Sequence, residues 1–167
     1  MSLHCGIAAC KGHSDLANLF SQLLSKEYSF ECTLHALPDE LVGSGAPLLS
    51  PDACTVALDY RTDPSSLAIL IAPTGLVTPF GYRIAGESKG GVIVVSGTAV
   101  NCQNYARLLR HEIGHFFGLP EHLDCVMSPY WVEDAAYCSA CRSELQSAGI
   151  TWRNSTASPR PDTGTPT

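Results

Sequence analysis

The chain has 167 residues, enough for one domain with a proper hydrophobic core, and its 45% hydrophobic content with a mean hydropathy of +0.08 excludes a disordered or fibrous polymer. A formal net charge of −6 excludes nucleic acid as the main partner, because phosphate contacts need clustered Lys and Arg. No apolar run is long enough to cross a bilayer, so no membrane partner is expected either.

The N-terminal ten residues lack the basic region and the apolar length of a secretory signal, which leads to the expectation of a cytoplasmic protein. Leu3 to Ala9 reads as a first strand. Residues 14–26 follow with Leu16, Leu19, Phe20, Leu23 and Leu24 at helical spacing and Ser14 as the candidate N-cap. Residues 28–37 alternate loosely and stop at Pro38, as a second strand would. From 38 to 64 the chain is rich in Gly, Ser, Pro and Asp, and only 54–60 looks able to hold regular structure. Leu67 to Ala72 reads as a buried strand, 86–91 as a Gly-rich loop, and 91–96 as a further strand placed at the sheet edge. A helix is expected over 102–117 with Asn101 as its cap, and a short one over 142–148. The tail, 154–167, is Ser, Thr, Pro and Gly with almost nothing apolar, and reads as disordered. These elements describe an α/β (α+β) domain: a small twisted mixed sheet with packed helices.

The most informative stretch is His111-Glu112-Ile113-Gly114-His115-Phe116-Phe117-Gly118. Residues four apart share a helix face, so the His111 and His115 imidazoles can converge on one metal ion. Glu112 leaves the helix beside them, placed to take a proton from a metal-bound water. Gly118 permits a sharp turn that brings a third ligand in from beyond the helix. By spacing alone this is a zinc hydrolase site, since catalytic zinc takes three protein ligands and keeps a fourth position for water.

The chain holds eight cysteines. Cys125, Cys138 and Cys141 cluster just after the helix motif and point to metal ligation, whereas Cys5, Cys10, Cys32, Cys54 and Cys102 are scattered and read as small buried hydrophobes. A Cys-x-x-Cys pair is also a redox motif, but the thioredoxin-like setting is missing. His4, Cys5, Cys10 and His13 do not read as a metal site, because a strand and its turn would separate them.

These motifs resemble the metzincin clan of zinc peptidases, whose pattern is H-E-x-x-H-x-x-G-x-x-H/D followed by a methionine turn. Within the clan the chain is most similar to the archaemetzincins, which add a cysteine after the third ligand, a C-x-M step and a downstream C-x-x-C. Here those are Cys125-Val126-Met127 and Cys138-Ser139-Ala140-Cys141. The resemblance is clear over residues 67–145, weak over 3–37 and absent in the tail. It implies a metzincin-like catalytic domain over 1–153, one catalytic zinc and a second, structural zinc, and a peptide or protein substrate bound along the sheet edge. It also implies that Met127 lies beneath the catalytic metal. Tyr130 stands at a different spacing from the oxyanion-donating tyrosine of some metzincins and reads as a packing or surface residue.

The chain departs from the family at the third ligand, and two arrangements follow. Without a gap, Glu121 is the third catalytic ligand and His122 joins Cys125, Cys138 and Cys141. With one extra residue in the turn, allowed by Pro120, His122 is the third catalytic ligand, and the three cysteines need another partner such as Asp124 or water. Zinc accepts nitrogen or carboxylate oxygen, so both remain open. The expected function is peptide hydrolysis with Glu112 as general base; the alternatives are a catalytically impaired zinc-binding protein and an interaction module built on the cysteine site.

Overall fold

The computed structural model describes residues 3–38, 45–123, 125–130 and 136–153. The expected tail, 154–167, and Asp124 lie outside the described residues.

The main sheet has five strands: β1 (Leu3–Ala9), β2 (Phe30–Ala36), β4 (Leu67–Ala72), β7 (Gly86–Lys89) and β8 (Val92–Ser96), in the order β2-β1-β4-β8-β7. The first four neighbours pair in parallel and only β7 runs antiparallel, against β8. A second sheet joins β3 (Leu48–Leu49), β5 (Leu76–Val77) and β6 (Arg83–Ile84). The helices are α1 (Ser14–Tyr28), α2 (Ser50–Leu58), α3 (Tyr105–Phe116) and α4 (Ser139–Ser147).

Strand β4 explains the layering. All six of its residues are buried, so both faces of the sheet are covered. Leu67, Ile69 and Ile71 join Ile7, Ile93, Val95, Phe20, Leu109 and Ile113 in the larger core, with α1 and α3 on that face. Ala68, Leu70 and Ala72 join Ala8, Val92, Val94, Ala53 and Ala57 in a second core. Alanine dominates there, which lets α2 approach the opposite face closely.

Several expectations are corrected. Residues 86–91 are not wholly a loop: Gly86–Lys89 is a strand, and Gly90 and Gly91, with φ of 59° and 83°, form a two-residue turn into β8. Positive φ at both central residues is the type I′ pattern that matches strand twist. The strand read over 91–96 is therefore internal, and β7 is the sheet edge. The irregular stretch contains α2, which begins at Ser50 with Pro51 in its first turn, a position where a missing N–H costs nothing. Ser14 does not cap α1, because a 3-10 turn over Lys11–His13 runs straight into it. Asn101 accepts from the Gln103 N–H at 2.8 Å, but α3 begins only at Tyr105, and Cys102 is exposed in the intervening turn rather than buried. Cys5 and Cys10 are buried as expected, whereas Cys32 and Cys54 are half-buried.

No helix among the described residues is long and apolar enough to span a membrane.

Candidate metal centre

Helix α3 carries His111, Glu112 and His115, and its anchoring is unusual. Arg110 donates to the carboxylate of Glu27 on α1, with Nε to Oε2 at 2.8 Å, and Glu27 is fully buried. Trp152 Nε1 donates to the same carboxylate at 3.1 Å. A buried ion pair with its remaining lone pairs engaged holds the helix in one register against α1. Arg107, on the same helix, donates to the carbonyl of Ser128 at 3.2 Å. Both arginines thus tie the helix to its neighbours.

The helix ends in a Schellman turn. Gly118 has φ 84°, its N–H donates to the His115 carbonyl, and the Leu119 N–H donates to that of Gly114, both at 2.9 Å. This turn bends the chain back beside the helix and delivers Glu121.

Each ring of the pair is fixed through its Nδ1. His111 Nδ1 donates to the Val126 carbonyl at 2.9 Å, and His115 Nδ1 donates to the Leu119 carbonyl at 3.1 Å. A carbonyl can only accept, so both rings are Nδ1–H tautomers when neutral and both present an Nε2 lone pair. Those two Nε2 atoms face one another at 3.1 Å. Two lone pairs so placed repel unless a cation lies between them. Two nitrogens on one tetrahedral zinc at ~2.0–2.1 Å would stand about 3.3 Å apart, so the donor set fits the ion. Burial lowers the His111 pKa, which favours the neutral, ligating form.

Glu121 places Oε1 3.9 Å from His115 Nε2, and one donor atom from each of His111, His115 and Glu121 lies within 4.8 Å of the others. His122 turns the other way. Its Nδ1 donates to the Leu123 carbonyl at 2.9 Å, and its Nε2 faces Cys141 Sγ at 2.9 Å, Cys125 Sγ at 3.3 Å and Cys138 Sγ at 3.6 Å. His122, Cys125, Cys138 and Cys141 form a second group of four donors within the same span. The chain therefore gathers the donors in the grouping of the gap-free arrangement.

Glu112 is 4% exposed, and its carboxyl is pushed up to about 8 by burial and by Glu87 and Glu121. It lies against Gly86 of β7, where an added Cβ would stand 3.0 Å from Oε1. Met127 is fully buried and packs on Gly114 of α3, where a Cβ would clash with its Sδ. A cleft of about 460 Å³ opens over these groups, lined by Gly86, Glu87, Ser88, His111, Glu112, His115 and Glu121.

Sequence reasoning missed Gly86 and Glu87 because their segment was read as loop. It also missed the Glu27 partner of Arg110, whose signal was a lone acid on an otherwise apolar face of α1. Tyr130 is 71% exposed and does not line the cleft. His4, Cys5, Cys10 and His13 do not converge: His4 pairs with Glu31 at 3.6 Å, and Cys10 Sγ meets His13 Nδ1 at 3.0 Å.

No known protein family and no curated protein matches the sequence. Solved structures do match the fold. It is similar to an archaemetzincin from Methanopyrus kandleri, at 20% identity and TM-score 0.62 over 87% of this chain and 94% of that one. A zinc-dependent peptidase from Methanocorpusculum labreanum matches at 17% identity and TM-score 0.63, over 85% and 99%. An archaemetzincin from Archaeoglobus fulgidus, complexed with malonate, matches at 16% and 0.59, over 86% and 99%. The chain is thus an α+β domain of metzincin-like fold. In particular, it has the archaemetzincin fold.

Proposed function

We propose that the protein is a zinc-dependent peptidase with two zinc sites. His111, His115 and Glu121 would hold the catalytic ion, and His122, Cys125, Cys138 and Cys141 a structural one. The observation that carries this reading is the pair of Nε2 atoms facing each other at 3.1 Å, each ring fixed from behind by a backbone carbonyl. Zinc held by these residues would supply Lewis acidity for the scissile carbonyl and would lower the pKa of the attacking water.

The chain's own groups do the rest. Glu112 sits in a buried pocket beside the imidazoles, where a cation held by them would favour its ionised form. It takes the proton of the attacking water and delivers it to the leaving amine. Gly86 leaves room for that carboxyl against the edge strand. Strand β7, outermost in the sheet among the described residues, offers its edge to an extended peptide, which adds to the sheet by main-chain hydrogen bonds and places its backbone over the cleft. The names of two solved neighbours of this fold, an archaemetzincin and a zinc-dependent peptidase, agree with the reading.

The Glu112→Gln variant tests the role of the carboxylate. It is expected to retain the metal content of the wild type and to lose hydrolysis of a mixed peptide library by about 10²-fold or more. Turnover near the wild-type rate would remove Glu112 from the mechanism.

A further inference from the structure

We propose that the cleft continues past His115 into a carboxylate-binding pocket built on Arg61, which takes an acidic side chain or the terminal carboxylate of a bound peptide. The inference rests on the peptidase reading and deepens it by naming a substrate class. The pocket has a volume of about 380 Å³ and shares Ser88 and His115 with the cleft over Glu112. A chain extended along β7 therefore passes from one into the other.

The two halves differ in charge. The lining over the histidine pair includes three carboxylates, Glu87, Glu112 and Glu121. The lining beyond His115 includes Arg61 and Lys89 and no carboxylate. Arg61 is also held in place. Its Nε donates to the Ser66 carbonyl at 3.0 Å, Nη1 to the Gly90 carbonyl at 3.1 Å, and Nη2 to the Pro64 carbonyl. It lies over Gly91, where a Cβ would stand 2.7 Å from Nη2. Neutral carbonyls fix the guanidinium without cancelling its charge, and one N–H on each terminal nitrogen remains to be donated. No ion pair among the described residues engages it. The nearby acid, Asp63, accepts from the Ser65 N–H at 2.7 Å and serves its own turn. A fixed, charged fork that no carboxylate among the described residues engages is preorganised for a planar carboxylate.

The opposite pole of α3 does not spoil the site, because the His115 and Gly114 carbonyls are already engaged by Gly118 and Leu119. Phe116 supplies an apolar wall.

The test is peptide binding to zinc-loaded Glu112→Gln protein, followed by fluorescence anisotropy. One series replaces Gln by Glu at each position of a fixed peptide, and a second compares free-acid with amidated C-termini. At least about a tenfold preference for the carboxylate is expected in one series, which identifies its source. The preference should shrink as salt is raised and fall to about one when Arg61→Gln is added. Should that variant fail to fold, the salt dependence of the preference in the parent protein decides. Equal binding of the charged and neutral members of both series would overturn the pocket while leaving the peptidase reading intact. Absence of any peptide binding to this variant, together with absence of peptide hydrolysis by the wild type, would overturn both.

Discussion

A histidine whose Nδ1 is tied to a carbonyl has one nitrogen left to offer, and here two such rings offer theirs to the same point. That much was legible in the sequence, because a four-residue spacing on a helix fixes the shared face. Which of Glu121 and His122 turns towards the pair was not legible. Neighbouring residues in an irregular turn point apart in directions set by local backbone, here the Schellman turn at Gly118. Glu112 gives a residue-scale prediction through its pKa, raised from 4.5 to about 8. A carboxyl whose folded pKa is raised contributes stability that is fully present below its unfolded value and lost as pH rises through the folded one. The metal-free protein should therefore lose stability between about pH 4.5 and 8, whereas metal-free Glu112→Gln should lose less, since the histidine titrations are common to both. Thermal melts of the two across that window check this: a difference growing with pH, in favour of the variant, is expected, and a constant difference contradicts it.

At the scale of elements, β1 and β4 matched their sequence limits because each is a short, mostly apolar run preceded by a serine, and β4 stops at Pro73, which has no N–H for the ladder. Strand β7 was missed for the opposite reason. Gly86-Glu87-Ser88-Lys89 has no apolar residue, since an edge strand beside a polar cleft buries little, and its pairing is dictated by the Gly90-Gly91 turn. The helix α2 was obscured by Ser50-Pro51-Asp52, a loop-like composition that also suits a helix start. In α3 the fold and the site meet at Gly114, which lies between His111 and His115 in the chain and packs against Met127. A Cβ there would stand 2.2 Å from the Met127 sulfur, so Gly114→Ala must displace a fully buried side chain. Despite the better helix propensity of alanine, a loss of roughly 1–3 kcal/mol is expected from overpacking, read by urea denaturation. A variant as stable as the wild type would show that Met127 is not clamped there.

At the scale of the whole molecule, the sheet carries two cores, and the site lies where its polar edge meets α3. The strand and helix alternation made the layered α+β architecture legible, but the order β2-β1-β4-β8-β7 could not be read from it, because pairing across the sheet depends on crossovers that leave no local pattern. The turn between Gly118 and Met127 ties the two donor groups together: the His122 N–H donates to the Met127 carbonyl at 3.3 Å, so one short segment serves both. The groups are nonetheless separate sets of side chains, and they should lose metal separately. The most direct measurement is zinc content per chain in the wild type and in His115→Ala, taken alongside peptide hydrolysis. Two zincs falling to one, with hydrolysis lost and the protein still folded, is the predicted result. An unchanged zinc content in His115→Ala would contradict the account.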